Sequence, residues 1–172
     1  MARKILYLIV ISALVSGCGS YGPTVPAPVQ SQPTPSRAPV APPPRAERSE
    51  ALLQALLALG IDYQWGGKSH ATGFDCSGLV AHVYKTAWGI NLPRNTKGQS
   101  QAGVPVDLAE LQAGDLVFWD TLKRPYSHVG IYLGDGKFVH APKTGSQVRV
   151  ESLKSSYWTQ RYNGARRIEP PH

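Results

Sequence analysis

Cysteine is nearly absent from this chain. Its 172 residues hold two, Cys18 and Cys76, so a disulfide framework of the kind that staples small exported domains is excluded. Two cysteines so far apart also lack the spacing of a structural zinc site, and no CxxC or HxxxH pair is present. Long hydrophobic runs are missing too. The longest, Ile5 to Val15, is broken by Ser12 and falls short of the roughly 20 apolar residues that a membrane-spanning helix needs. Acidic residues are scarce, 11 against 18 Lys and Arg, for a formal charge of +7. Much of that excess lies outside the main body, since residues 50–172 carry 13 basic and 10 acidic side chains. No basic block is interleaved with aromatics, so nucleic acid is not an expected partner. Mild basicity suits an anionic polymer or membrane surface nearby.

The N-terminus is what the short run explains. Arg3 and Lys4, the apolar segment, and then Val15-Ser16-Gly17-Cys18 form a lipoprotein signal, with residues 1–17 removed and Cys18 lipidated. The implied address is the cell envelope, with acyl chains as the membrane anchor. Gly19 in place of an aspartate favours the outer membrane, facing the periplasm, where the source has two membranes. Residues 18–49 then form a spacer. Between Gly19 and Ser49 lie nine of the fifteen prolines and few large apolar residues, a composition that does not bury enough surface to fold. Extended at ~3.1 Å per residue, such a tether reaches roughly 90 Å.

Residues 50–172 have the size of one domain with a core of its own. Ser49 to Leu59 reads as a first helix, capped by Ser49 and stopped by Gly60. Asp75 to Trp88 reads as a second, with Asp75 as N-cap, Gly89 as stop, and Leu79, Val80, Val83 and Tyr84 as its apolar stripe. Beyond it the period shortens. Leu116 to Trp119, His128 to Leu133, Lys137 to Ala141, Gln147 to Glu151 and Gly164 to Ile168 are strand candidates. Helices first and antiparallel strands afterwards predict an α+β fold, N-terminal helices packed on a central antiparallel β-sheet.

Once Cys18 is lipidated, Cys76 is the one free thiol, and it falls in the first turn of a helix capped by Asp75. Free backbone N–H groups and the helix dipole there favour a thiolate. By position alone a buried structural cysteine fits equally well. The histidines favour the catalytic reading. If Gly134-Asp135-Gly136 is a three-residue loop, Gly130 faces His140 and His128 lies diagonally from His140 on the same face. A two-residue turn would put the two on opposite faces. On one face, His128 can act on Cys76 while His140 fixes the ring of His128. One Cys and two His are also three zinc ligands in principle, but their spacing argues against a metal, and no cofactor is expected. His70, in a polar loop, and His82, at a solvated helix position, are assigned no role.

These residues resemble the NlpC-type cysteine peptidases, papain-like hydrolases of the bacterial cell wall. The resemblance rests on ordered blocks: Tyr63-Gln64-Trp65-Gly66-Gly67, Phe74-Asp75-Cys76-Ser77-Gly78-Leu79-Val80, Leu92-Pro93-Arg94, Gly114-Asp115-Leu116-Val117-Phe118-Trp119, His128-Val129-Gly130-Ile131-Tyr132 and Phe138-Val139-His140-Ala141. It implies Cys76 as nucleophile, His128 as base, His140 as the polar group that orients the base, and Tyr63 near the oxyanion site. Ser77 and Asp75, beside the nucleophile, are expected to meet substrate. The implied reaction is hydrolysis of peptidoglycan stem peptides or cross-links through a thioacyl enzyme. The alternatives are an inactive wall-binding lipoprotein and an amidase or acyltransferase on the same fold. The sequence names no regulatory protein partner.

Overall fold

The computed structural model describes residues 45–171. The expected signal segment, Cys18 and most of the proline-rich stretch lie outside the described residues. Helix α1 (Arg45–Leu57) is helical from the first described residue, four positions before the expected cap at Ser49. The physical reason is Arg48, which is buried. Its guanidinium bonds the Ala113 carbonyl and lies 3.6 Å from Asp115, so this turn is held by the sheet. α1 packs on α2 (Cys76–Trp88) through Ala51, Ala55 and Ala58, all fully buried, while Leu53, Leu56 and Leu57 face outward. Small residues at the contact let the two helices approach closely.

α2 follows the sequence reading. Asp75 caps it and Gly89 closes it in the left-handed conformation. Leu79, Val80, Val83 and Tyr84 are fully buried against the sheet. His82 departs from expectation. It is half-buried, with ring centroids of Phe74 and His70 both 5.1 Å away, because the short strands β1 (Lys68–Ser69) and β2 (Gly73–Phe74) fold back over that side of α2. Burial and the neighbouring His70 lower its pKa.

After the short α3 (Thr96–Gln99) the chain builds a six-stranded antiparallel sheet, in spatial order β3-β8-β4-β5-β6-β7. Its strands are β3 (Val104–Val106), β4 (Leu116–Trp119), β5 (His128–Gly134), β6 (Lys137–His140), β7 (Arg149–Ser152) and β8 (Tyr162–Arg167). The one-turn helix α4 (Ser156–Thr159) lies between β7 and β8. β3 was not foreseen, and its central Pro105 is tolerated because β3 is an edge strand. β7 starts two residues later than expected, since Gln147 instead bridges Asp62 near the end of α1.

The β5–β6 hairpin corrects the expected turn while keeping its consequence. Asp135 and Gly136, both at positive φ, form a two-residue turn with Gly134 opposite Lys137. A bulge between Tyr132 and Gly134 then shifts the register by one, restoring Tyr132 opposite Phe138 and Ile131 opposite Val139. That is the register of the three-residue loop, and it leaves His128 and His140 on the same face.

The sheet buries both faces. Leu116, Phe118, Val129, Ile131 and Val139 meet the helices. Val117, Trp119, Phe138 and Ala165 gather round Trp158 of α4 on the other side. Asp115, wholly buried just before β4, ties that turn to the end of β8 through a two-pronged pair with Arg167 at 2.9 and 2.8 Å and accepts an N–H from Gln112 at 2.8 Å.

Candidate active site

The N-terminus of α2 is a hydrogen-bonded cage. Asp75 Oδ1 accepts from the Gly78 N–H at 2.7 Å, the Ser77 hydroxyl at 3.1 Å and Arg94 at 2.8 Å. Its Oδ2 accepts from the Gly66 N–H at 2.9 Å and Arg94 at 2.8 Å. Arg94 also donates to the Gly67 carbonyl and to Ser77 Oγ, both at 2.8 Å. Burial alone would raise the Asp75 pKa, but these donors outweigh it and hold the carboxyl below its ordinary value. Both Asp75 oxygens and the Ser77 hydroxyl are thus engaged within the wall of the site. Arg94, which completes the cage, entered the sequence reading only as part of the Leu92-Pro93-Arg94 block.

Cys76 sits on this cage, half-buried, with its thiol free. The N–H groups of Ser77, Cys76 and Val129 hydrogen-bond its sulfur and stabilise the thiolate. Burial and the Asp75 carboxylate act the other way and prevail, raising the thiol to about 11. The expected dipole effect is present but outweighed, so the resting group is a neutral thiol. The bond from Val129 is informative in another way: it places the sulfur at the first peptide of β5, one residue from His128. Tyr63 is beside it too. Burial first, and then the charges of Cys76 and Asp75, raise the Tyr63 pKa and keep its hydroxyl a proton donor.

His128, 4% exposed, and His140, fully buried, are the paired histidines of the hairpin. His128 Nε2 lies 2.8 Å from His140 Nδ1, with the rings edge to face. Alternation along β5 sends Val129 towards α2 and His128 to the opposite side. There it stacks on Trp158 at 5.6 Å and touches Trp119 at 6.0 Å. Burial lowers His128 to about 3, helped by His140, and lowers His140 to about 4 against the pull of Glu151. Both imidazoles are neutral at neutral pH.

Two hollows lie beside these groups. One, of about 610 Å³, is walled by Trp65, Lys68, Asp75, Ser77 and Arg94; the other, of about 420 Å³, by His128, Lys143, Arg149, Glu151 and Tyr157. Leu122 lines both. No group of three or more His, Cys, Asp or Glu among the described residues is placed to hold a metal ion.

The sequence profile of the NlpC/P60 family matches residues 60–167, the stretch that holds every one of these side chains. The chain belongs to the NlpC/P60 family. It is 43% identical over 124 residues to murein DD-endopeptidase MepH of Escherichia coli K12, covering 70% of this chain and 46% of that protein. It is 42% identical over 109 residues to murein DD-endopeptidase MepS/murein LD-carboxypeptidase of the same strain, covering 63% and 56%. The chain therefore spans only about half the length of these relatives. Among solved structures, an NlpC/P60 family protein from Bacillus cereus superposes with a TM-score of 0.67 at 38% identity, over 72% of this chain and 40% of that one. The NlpC/p60 domain of the peptidoglycan hydrolase SagA gives 0.61 at 35% identity, over 70% of this chain and 98% of that one. The α+β, papain-like peptidase fold read from the sequence is the fold observed.

Proposed function

We propose that this NlpC/P60 chain is an envelope-anchored cysteine endopeptidase that hydrolyses peptide bonds in peptidoglycan stem peptides or their cross-links, with Cys76, His128 and His140 as its triad. The observation that carries it is the meeting of a capped helix N-terminus and a buried histidine pair at one peptide, Val129. The names of the relatives supply the substrate class. Anchoring rests on the Cys18 motif alone.

In the resting site thiol and imidazole are both neutral, so the proton leaves sulfur as the bond to carbon forms. His128 Nε2 is turned to His140, which leaves Nδ1 to take the Cys76 proton while Sγ attacks the amide carbonyl. The Cys76 N–H and the Tyr63 hydroxyl receive the oxyanion, each donor of this kind contributing about 3 kcal/mol. The tetrahedral adduct collapses, the C–N bond breaks, and the imidazolium gives its proton to the leaving amine. Water, deprotonated by His128, then attacks the thioester, and the acid and the free thiol are restored.

Purified sacculi test this. Wild-type protein is expected to release soluble peptide fragments, and folded Cys76→Ala and His128→Ala proteins to release none. Undiminished release by either variant overturns the assignment. The mass of the mature N-terminus checks the anchor, since an unmodified Cys18 contradicts it.

A further inference from the structure

The hydrogen-bond chain does not end at His140. Its other nitrogen, Nε2, is buried, makes no hydrogen bond of ordinary geometry, and has Glu151 Oε1 of β7 at 3.4 Å. Glu151 is itself held in place. Arg149 Nε donates to Oε1 at 2.6 Å, and the Trp158 indole N–H donates to Oε2. Trp158 also packs edge to face on His140 and stacks on His128, so one indole braces all three groups. We propose that Glu151 is a positioning residue for the imidazole pair, fixing the tautomers of both rings by accepting a hydrogen bond from the His140 Nε2–H. The proposal rests on the triad reading above and deepens it.

Counting protons fixes where each imidazole carries its hydrogen. The groups facing His140 are His128 from β5, Glu151 and Arg149 from β7, and the rings of Phe138 and Trp158. Burial alone would raise the Glu151 pKa, but the bonds from Trp158 and Arg149, with His140, leave it lowered, so the carboxylate is ionised and can only accept. A neutral His140 has one N–H. Were it on Nδ1, the lone pair of Nε2 would face a carboxylate oxygen at 3.4 Å with no proton between them. The proton therefore sits on Nε2, and Nδ1 presents its lone pair to His128 at 2.8 Å. His128 must then donate from Nε2, and its own lone pair is on Nδ1, where the thiol proton has to go. During the reaction the carboxylate also favours the imidazolium that forms on His128. The contact at 3.4 Å shortens as that charge appears, since hydrogen bonds to ionised groups are shorter and stronger.

The test uses ¹⁵N-histidine-labelled protein and Glu151→Gln, whose amide keeps the shape and can face either way. In wild type at pH 7 the imidazole ¹⁵N shifts are expected to show His140 protonated on Nε2 and His128 protonated on Nε2 with Nδ1 bare. In Glu151→Gln the His140 signals are expected to mix both tautomers. On muropeptide the same variant should lose about tenfold in kcat with KM unchanged, a fraction of the roughly 10²–10⁴ that a positioned base contributes. The acid limb of its kcat/KM profile should move to lower pH, because a negative charge has left the neighbourhood of the base. Wild-type protein with His140 protonated on Nδ1 overturns the proposal, as does a Glu151→Gln protein with unchanged shifts, kcat and acid limb. The resting spectra need no turnover, so the tautomer reading survives or falls independently of the sacculus experiment.

Discussion

Around the N-terminus of α2 the polar groups of the cage each have several partners, whereas around the start of β5 the imidazoles share one short hydrogen bond inside a jacket of aromatic rings. Asp75 alone takes five hydrogen bonds, two of them from the Arg94 guanidinium. His128 and His140 are surrounded by Trp119, Phe138 and Trp158, and their outermost link, to Glu151, is 3.4 Å long. The difference matches the two tasks proposed for these groups, Cys76 as nucleophile and His128 as base. The nucleophile must stay still and partly open, so it is mounted on a charge-assisted cage that water does not dissolve. The base must stay neutral at rest yet accept a proton, so it is buried, where each charge costs most and each tautomer is set by its neighbour.

The largest expected effect comes from breaking the rigid half. A Cβ added at Gly78 would meet the Gly67 carbonyl oxygen at 2.0 Å and Arg94 Nη2 at 2.8 Å, with backbone on one side and a committed ion pair on the other. Gly78→Ala is expected to lose about 3 kcal/mol of stability and to lower Tm by roughly 10 °C, with activity falling alongside. Glu151→Gln, on the softer half, should shift Tm by no more than about 2 °C. Thermal melts of the two variants side by side check this, and equal losses would erase the distinction.

Acidification should separate the halves more gently. His128 and His140 are lowered by burial from the ordinary 6.5 to about 3 and about 4. An unfolded chain takes up these protons as the pH falls through 6.5, while the folded chain resists until near 4. Their contribution is therefore complete above about pH 6.5 and is lost progressively towards pH 4. Asp75 is lowered below 3.8, so what it contributes is present above that value and goes only as the pH falls further. Stability is expected to drop between pH 6.5 and 4.5 by on the order of 2 kcal/mol for each imidazole, with the cage still intact. His82, lowered for the same reason, adds to the slope, so the informative quantity is the difference between wild type and His140→Gln. Denaturant melts at pH 7, 5.5 and 4.5 measure it, and identical slopes would remove the histidine half from the explanation.

How far each half was legible follows from the range of its signals. The cap, the stripe and the stop of α2 are all local, spelled out by Asp75, by Leu79 to Tyr84 and by Gly89, and the helix came out residue for residue. The histidine pair needed register. The sequence placed His128 and His140 together through the wrong turn, because a bulge near Leu133 compensates for the shorter loop, and a one-residue bulge leaves no mark on hydrophobic alternation. Arg94 and Glu151 were missed as partners for a related reason. An Arg after a proline and a Glu in a half-exposed strand read as surface charge, and only the third dimension brings them 19 residues back to Asp75 and 11 back to His140. The resting charge of Cys76 is not legible in sequence, because a helix N-terminus is visible there and the depth of burial around it is not.

In the proposed reaction Cys76 becomes covalently acylated, with His128 handling its proton. Wild-type protein mixed with a defined muropeptide, quenched in acid within the first turnover and digested, gives the mass of the peptide that carries Cys76. The predicted result is an adduct equal to the acyl half of the cleaved substrate, absent when His128 is alanine. Cleavage at the wild-type rate by a folded Cys76→Ala protein, with no adduct on the wild-type peptide at any quench time, would contradict it.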